Sequence, residues 1–271
     1  YLCVKLEDYF RNKVYFQNSK KQLCAIVFDD GYKDFLEYAL PILKKHKAPS
    51  SMYIVTDCVN SQLPPWTYQL DYCFNHSKHL TIKIETDLLP TTMRHTTWAN
   101  NAERIHFGKN LKPILKKISN TNRLSIFNEV VTQLNDVELP KNLLMNWAEI
   151  NEIITDGVEV GSHTHSHPLL ASIEDDQLIK KELSNSFELI KENCGIEPYT
   201  ISYPIGSYDA RVMSISKEMG YKIGLAVDQA FYNEGEHNIF AIPRVELYNE
   251  PYWKAQIRIS GLYQKLKNFV K

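Results

Sequence analysis

The sequence contains no run of about 18 apolar residues, the length a helix needs to cross a bilayer, so no segment is expected to span a membrane. Neither charge dominates: 31 Lys and Arg stand against 32 Asp and Glu, with no block of like sign. The cationic footprint of a polyanion binder is missing, and nucleic acid is not an expected partner. Cysteine is scarce and poorly arranged for a scaffold. Cys3, Cys24, Cys58, Cys73 and Cys194 are odd in number, widely spaced and without a Cys-x-x-Cys pair. Neither a disulfide framework nor a cysteine-ligated zinc site is indicated, and the five read as packing residues. Internal repeats and low-complexity tracts are also lacking. The chain opens at Tyr1 without the charged start and apolar core of a signal peptide, as expected of an N-terminus that is trimmed or lies upstream. Cytoplasmic and cell-envelope locations both stay open.

What is present is an alternation. Six short apolar runs read as buried strands, at 24–30, 50–56, 158–164, 199–204, 223–227 and 240–247. Helical patterns separate most of them. The clearest begins after Ser172, a capping residue, carries Ile179, Leu183, Phe187 and Ile190 on one stripe, and closes at Gly195. Strands apolar along their whole length, alternating with helices, argue for a parallel sheet covered on its faces, as a barrel or a doubly wound sheet. The 271 residues fit one such domain. The stretch 57–140 breaks the rhythm, with helices expected near 101–118 and 122–135, and reads as an insertion between the second and third strands.

Two stretches carry chemistry. AIVFDDGYKDF (25–35) sets Asp29 and Asp30 side by side at the end of an apolar strand and just before a glycine. Adjacent carboxylates repel, and such a pair calls for a cation nearby. GVEVGSHTHSHP (157–168) supplies His163 and His167 four residues apart, a spacing that on one helical turn places two imidazoles on the same side as ligands of one metal ion. Strand ends in parallel α/β folds face a common cleft, so Asp30 is the natural third ligand. Asp29 then stays ionised beside the cation, able to take a proton from water.

FDDG (28–31) and HTHSH (163–167) resemble the first two motifs of the polysaccharide deacetylases, the NodB-homology group or carbohydrate esterase family 4. MNWAEINEIITDGVEVGSHTHSHP (145–168) and ISYPIGSYD (201–209) resemble that family's approach to its histidine motif and a tyrosine–proline form of its third motif. The resemblance covers roughly 24–56 and 145–247. It implies a distorted (β/α) TIM-like barrel of about seven parallel strands, with a helical insertion between the second and third. It also implies hydrolysis of N-acetyl groups on amino sugars of a polysaccharide or lipid-linked glycan. By the same resemblance Asp29 is the general base, while Asp30, His163 and His167 hold one divalent ion. Zinc is foremost, and cobalt, manganese, nickel or iron also suit such a site. Tyr203, Pro204, Ile205 and Gly206 line the sugar groove, and a backbone N–H near Tyr203 holds the oxyanion.

The sequence departs from the family pattern twice. The arginine common ahead of the third-motif proline is absent, and Arg244, in AIPRVEL, is expected to orient Asp29 in its place. The C-terminal histidine that usually serves as general acid is missing too; His237, in NEGEHN, reads as a solvated turn. Trp66, after two prolines, is expected to offer a face to a sugar ring, with core packing as the other reading. Trp147 reads as core and His165 as a strand-end residue. Two other functions stay open: an amidohydrolase of the same fold acting on a small non-sugar amide, and a glycan-binding module with little turnover.

Overall fold

Five of the six apolar runs fold as strands of a single sheet in the computed structural model, which describes residues 1–16 and 18–262. The single domain expected over 1–271 therefore extends past the described residues. The strands are β1 (Ile26–Phe28), β2 (Ser50–Ile54), β3 (Glu159–Ser162), β4 (Thr200–Ser202) and β5 (Ile223–Leu225). They hydrogen-bond in that order and run parallel throughout. Every residue of β2, β4 and β5 is buried, as a sheet covered on both faces requires.

The expectation of about seven strands is not met: the sheet has five, an open curled layer in an α/β fold. The run 240–247 forms one bridge, between Ile242 and Leu225, and no strand. Pro243 has no N–H to give a ladder, and the Arg244 N–H turns to the Asp228 carbonyl at 3.1 Å. Outside this sheet Leu2–Cys3 pairs in parallel with Leu23–Cys24, and the sulfurs of Cys3 and Cys24 lie 3.4 Å apart as free thiols.

The helix expected from Ser172 begins later. It spans Asp176–Cys194, with the Asp175 carboxylate accepting the Gln177 N–H at 2.8 Å and Gly195 ending it at φ 69°. Ser172 instead closes a short 3₁₀ turn. The Asp175 carboxylate can neutralise the helix N-terminal charge, which makes it the stronger cap. Ile179, Leu183 and Ile190 are buried under it as the stripe predicts.

Between β2 and β3 the chain makes helices Thr56–Ser61, Trp66–His76, Thr91–Arg94, Asn101–Leu115 and Asn120–Gln133, with a short antiparallel pair, Thr81–Lys83 and His95–Thr97, and then the helix Trp147–Thr155 that leads into β3. Leu70, Phe74, Phe107, Leu111, Ile126 and Val130 give the elements within 66–133 an apolar cluster of their own, joined by Leu169 and Ile205 from the sheet side. Buried Arg104 donates from Nε to the Phe74 carbonyl at 2.9 Å, satisfying one of the orphan carbonyls at the end of Trp66–His76.

Gly161 in β3 is where the sheet tolerates no side chain. A Cβ there would meet the Tyr53 ring at 2.6 Å and the Thr200 carbonyl oxygen of β4 at 2.8 Å. The oxygen belongs to a hydrogen-bonded strand and cannot swing aside. Gly161→Ala should cost about 1–3 kcal/mol, read as a lower Tm in thermal melts; an unchanged Tm would show that β3 and β4 spread freely.

Candidate active site

The carboxyl ends of β1, β3, β4 and β5 open on one cleft of about 370 Å³. Asp29 and Asp30 follow β1, His163 follows β3, and Ile205 and Val227 lie just beyond β4 and β5. Successive strand residues point to opposite faces, yet both aspartates line this cleft. The backbone explains it: Asp30 is left-handed at φ 74° and Gly31 at φ 84°, so the chain turns sharply and brings the second carboxylate round beside the first.

His163 and His167 do not share a helical turn, as their spacing suggested. They lie on an irregular loop in which Thr164 (φ 68°) and His167 (φ 58°) are left-handed. The loop is pinned by the His167 N–H to Thr164 Oγ1 at 3.2 Å and by Ser166, whose N–H and Oγ both donate to Glu182. His163 Nδ1 faces the Ser202 carbonyl at 2.7 Å and must carry the proton, which leaves the Nε2 lone pair free.

That Nε2 lies 3.4 Å from Asp30 Oδ1, and His167 Nε2 lies 3.5 Å from the same oxygen. Ligand atoms of the three residues all fall within 4.8 Å of one another. Asp30 Oδ1 is buried without any hydrogen-bond donor. Such an oxygen is costly to bury alone, and a cation placed between it and the two imidazoles would satisfy it. The two-nitrogen, one-oxygen donor set fits a divalent transition ion.

Asp29 sits in a different environment. Arg244 Nη1 lies 3.0 Å from each of its carboxylate oxygens, and Ser202 Oγ donates to Oδ2 at 3.2 Å. Arg244 is itself held by its Nε donating to the Ala226 carbonyl at 2.8 Å. Burial pushes the Asp29 carboxyl up, but Arg244 and His163 outweigh it and hold the group below the usual carboxylate range. Burial wins at Asp30, whose pKa is raised with Asp29 adding to the rise and His163 opposing it. Burial, then the neighbouring His163, depresses His167 well below an ordinary imidazole, so it is neutral with a lone pair to give. Two adjacent carboxyls are thus pushed in opposite directions.

Of the remaining residues read from sequence, some are here and some are not. Ile205 lines the cleft, and Gly206 lies beneath it, where a Cβ would collide with Val227 Cγ2 at 2.1 Å. Tyr203 and Pro204 do not line the groove with their side chains. Tyr203 is fully buried and stacked on Tyr208, its N–H donating to the Leu225 carbonyl at 3.1 Å, and Pro204 is buried beside it. The N–H groups of Gly206 and Ser207 go to the carbonyls of Tyr203 and Pro204. Among the described residues of this run, that leaves the N–H of Ile205, which is left-handed at φ 56°. The left-handed conformation is costly for a β-branched residue and is the kind of strain that gathers at functional sites.

Trp66 requires a correction. It is only 5% exposed, packs edge-on against Phe127, and has the Arg123 guanidinium 4.5 Å from its ring centre, so it offers no face to a sugar. The two prolines lead into a helix whose first residue, Trp66, is buried, so of the two readings core packing is the one the fold adopts. Trp147 is tied through Nε1 to Asn60, His165 through Nδ1 to Thr56, and His237 to Asn233 in an exposed turn away from the cleft.

Tyr32, Thr67, Tyr68, Asp71, Lys112, Lys116 and Glu246 also line the cleft and were not foreseen. Tyr68 with Asp71, and Lys112 with Lys116, do show helix-face spacing. No sequence pattern says which helix face looks onto a distant strand end.

Residues 16–224 match the family model described as polysaccharide deacetylase. A 64-residue stretch is 34% identical to Chitin deacetylase 1 of Cryptococcus neoformans var. grubii, covering 24% of this chain and 13% of that protein. Another of 82 residues is 30% identical to the uncharacterized protein YlxY of Bacillus subtilis, covering 28% of this chain and 25% of that protein. The chain thus spans a quarter or less of the length of these relatives. Among solved structures, the Streptococcus pyogenes deacetylase PplD in complex with acetate superposes with a TM-score of 0.57 at 15% identity, over 91% of this chain and 74% of that one. IcaB from Ammonifex degensii gives the same score and identity over 95% and 80%. At such identity the likeness is one of fold. The family match covers most of the chain and takes in both aspartates and both histidines of the cleft, and the chain belongs to the polysaccharide deacetylase family.

Proposed function

We propose that this chain is a metal-dependent hydrolase that removes N-acetyl groups from amino sugars of a polysaccharide or lipid-linked glycan. The observation that carries the reading is the split environment of the acidic pair: one carboxylate is tied to Arg244, and its neighbour converges with two imidazole nitrogens. Family membership and the names of relatives, a chitin deacetylase and a deacetylase complexed with acetate, support the same reaction class.

In this reading Asp30, His163 and His167 hold one divalent ion, zinc by preference. Such an ion supplies a Lewis acid for the acyl carbonyl and lowers the pKa of water. Asp29, kept ionised at neutral pH, takes the proton of the attacking water. Arg244 acts as a positioning residue: fixed by the Ala226 carbonyl, it holds the Asp29 carboxylate in one orientation. The unpaired Ile205 N–H is the donor available to the oxyanion that forms as water adds, in the position expected of a group near Tyr203. Pro204 and Gly206 shape the turn that presents it.

Elemental analysis and acetate release from N-acetylglucosamine oligomers test these roles. Asp30→Ala should lose the ion. Asp29→Asn should keep it while acetate release falls about 10²–10⁴-fold, the range of a general base. An ion bound by wild type with no acetate from any glycan would overturn the substrate assignment.

Arg244→Ala should keep the ion but lower kcat. The pH dependence follows from the sign of the Asp29 shift. Arg244 depresses that carboxyl, so its removal raises the pKa, and the acidic limb of kcat/KM should move to higher pH. A pH profile that stays in place would exclude contact with the base as the source of the effect.

A further inference from the structure

Amide hydrolysis needs an acid as well as a base. An amide nitrogen does not leave as an anion, so the departing amine must gain a proton as the C–N bond breaks. Among the described residues, no histidine beyond the proposed metal ligands lines the cleft: His165 is bound to Thr56, and His237 lies in its exposed turn. Asp29 holds only the proton it took from water, and a second group on the wall can supply one directly to the nitrogen while Asp29 returns its own to solvent.

The candidates with a transferable proton are Tyr32, Thr67, Tyr68, Lys112 and Lys116. A threonine hydroxyl is too weak an acid. The Tyr32 ring packs against Tyr68, and its main chain is bridged to Leu144. Lys112 is engaged by Asp71 in an ion pair across the two helices. Tyr68 packs against Tyr32 and Tyr72. Lys116 differs from all of them. It caps the C-terminal end of the helix Asn101–Leu115, is half-buried in the cleft wall, and forms no ion pair among the described residues.

We propose that Lys116 is the proton donor to the departing amine nitrogen, an assignment that rests on the deacetylase reading. As the tetrahedral adduct collapses, the C–N bond breaks and its electron pair goes to nitrogen. Nitrogen takes a proton from Nζ, and the carbonyl re-forms as acetic acid, which ionises. Neutral Lys116 is then reprotonated from solvent, balancing the proton that Asp29 took from water and releases.

The electrostatics around Nζ favour this role. Lys112 faces it one helical turn back, Asp71 from the helix Trp66–His76, Glu246 from the segment after β5, and His167 from the loop after β3, where the lysine's charge helps depress the imidazole. Burial first, then Lys112, lowers the ammonium pKa against the pull of Asp71 and Glu246. An ordinary lysine, with a pKa of about 10.4, is a poor acid at neutrality, and this shift brings it closer to the range where general acids work.

The test compares two substrates whose leaving groups differ in their need for a proton. N-acetylglucosamine oligomers release an amine, whereas 4-nitrophenyl acetate releases a phenolate that leaves unaided. In Lys116→Met and Lys116→Arg, kcat on the oligomer should fall about 10²–10⁴-fold with KM within about threefold, while ester turnover changes far less. The basic limb of the wild-type kcat profile should disappear. Metal content and Tm, measured alongside, confirm an intact fold. Rescue by Lys116→Arg, equal loss on both substrates, or a raised KM with unchanged kcat would overturn the assignment and make the residue a simple charge or a substrate contact. Wild type inert on every glycan would instead be a failure of the deacetylase reading, with which this proposal falls.

Discussion

Two carboxylates on consecutive residues in a half-buried cleft cannot both be ionised unless positive charge is placed beside each. That constraint organises everything around the end of β1. Arg244, distant in sequence, reaches back over the end of β5 to neutralise Asp29. Asp30 has no such partner and is left with an orphaned oxygen facing two imidazole nitrogens. A pair that chemistry would otherwise make equivalent is thereby divided into a base and a ligand, and the division comes from neighbours and not from the aspartates themselves.

The loops that make this possible share a conformational cost. Asp30, Thr164, His167 and Ile205 all adopt left-handed backbone with a side chain present. Each such residue costs of order 1–3 kcal/mol and persists only when its surroundings over-determine it. Here the surroundings are a parallel sheet whose inner strands are paired on both sides and whose central glycine allows no slack. The rigid layer holds the strain, and the strain aims the donors before any ligand arrives.

Much of this was legible in the residues. Five of the strands and their parallel direction follow from apolar runs alternating with helical patterns, and FDDG with HTHSH names the four polar groups that meet. Tertiary context decided the rest: Trp66 follows two prolines and could have faced a sugar, yet its ring is covered by Arg123. The run 240–247 has the composition of a strand, but Pro243 denies it a ladder. HxxxH has the spacing of a helical turn, but hydroxyl side chains and left-handed residues hold it as a loop. The far wall of the cleft was invisible, because Tyr68, Asp71 and Lys116 meet the aspartates only through tertiary packing.

That far wall has an apolar core of its own, which Leu169 and Ile205 join from the sheet side. The two sides of the cleft are therefore stabilised by largely separate sets of side chains. Apart from Lys116, substitutions can accumulate on the helical side, reshaping what the cleft admits, without any compensating change around the aspartates and histidines. Divergence in specificity and preservation of the chemical centre are, in this architecture, tied together on that wall through a single lysine.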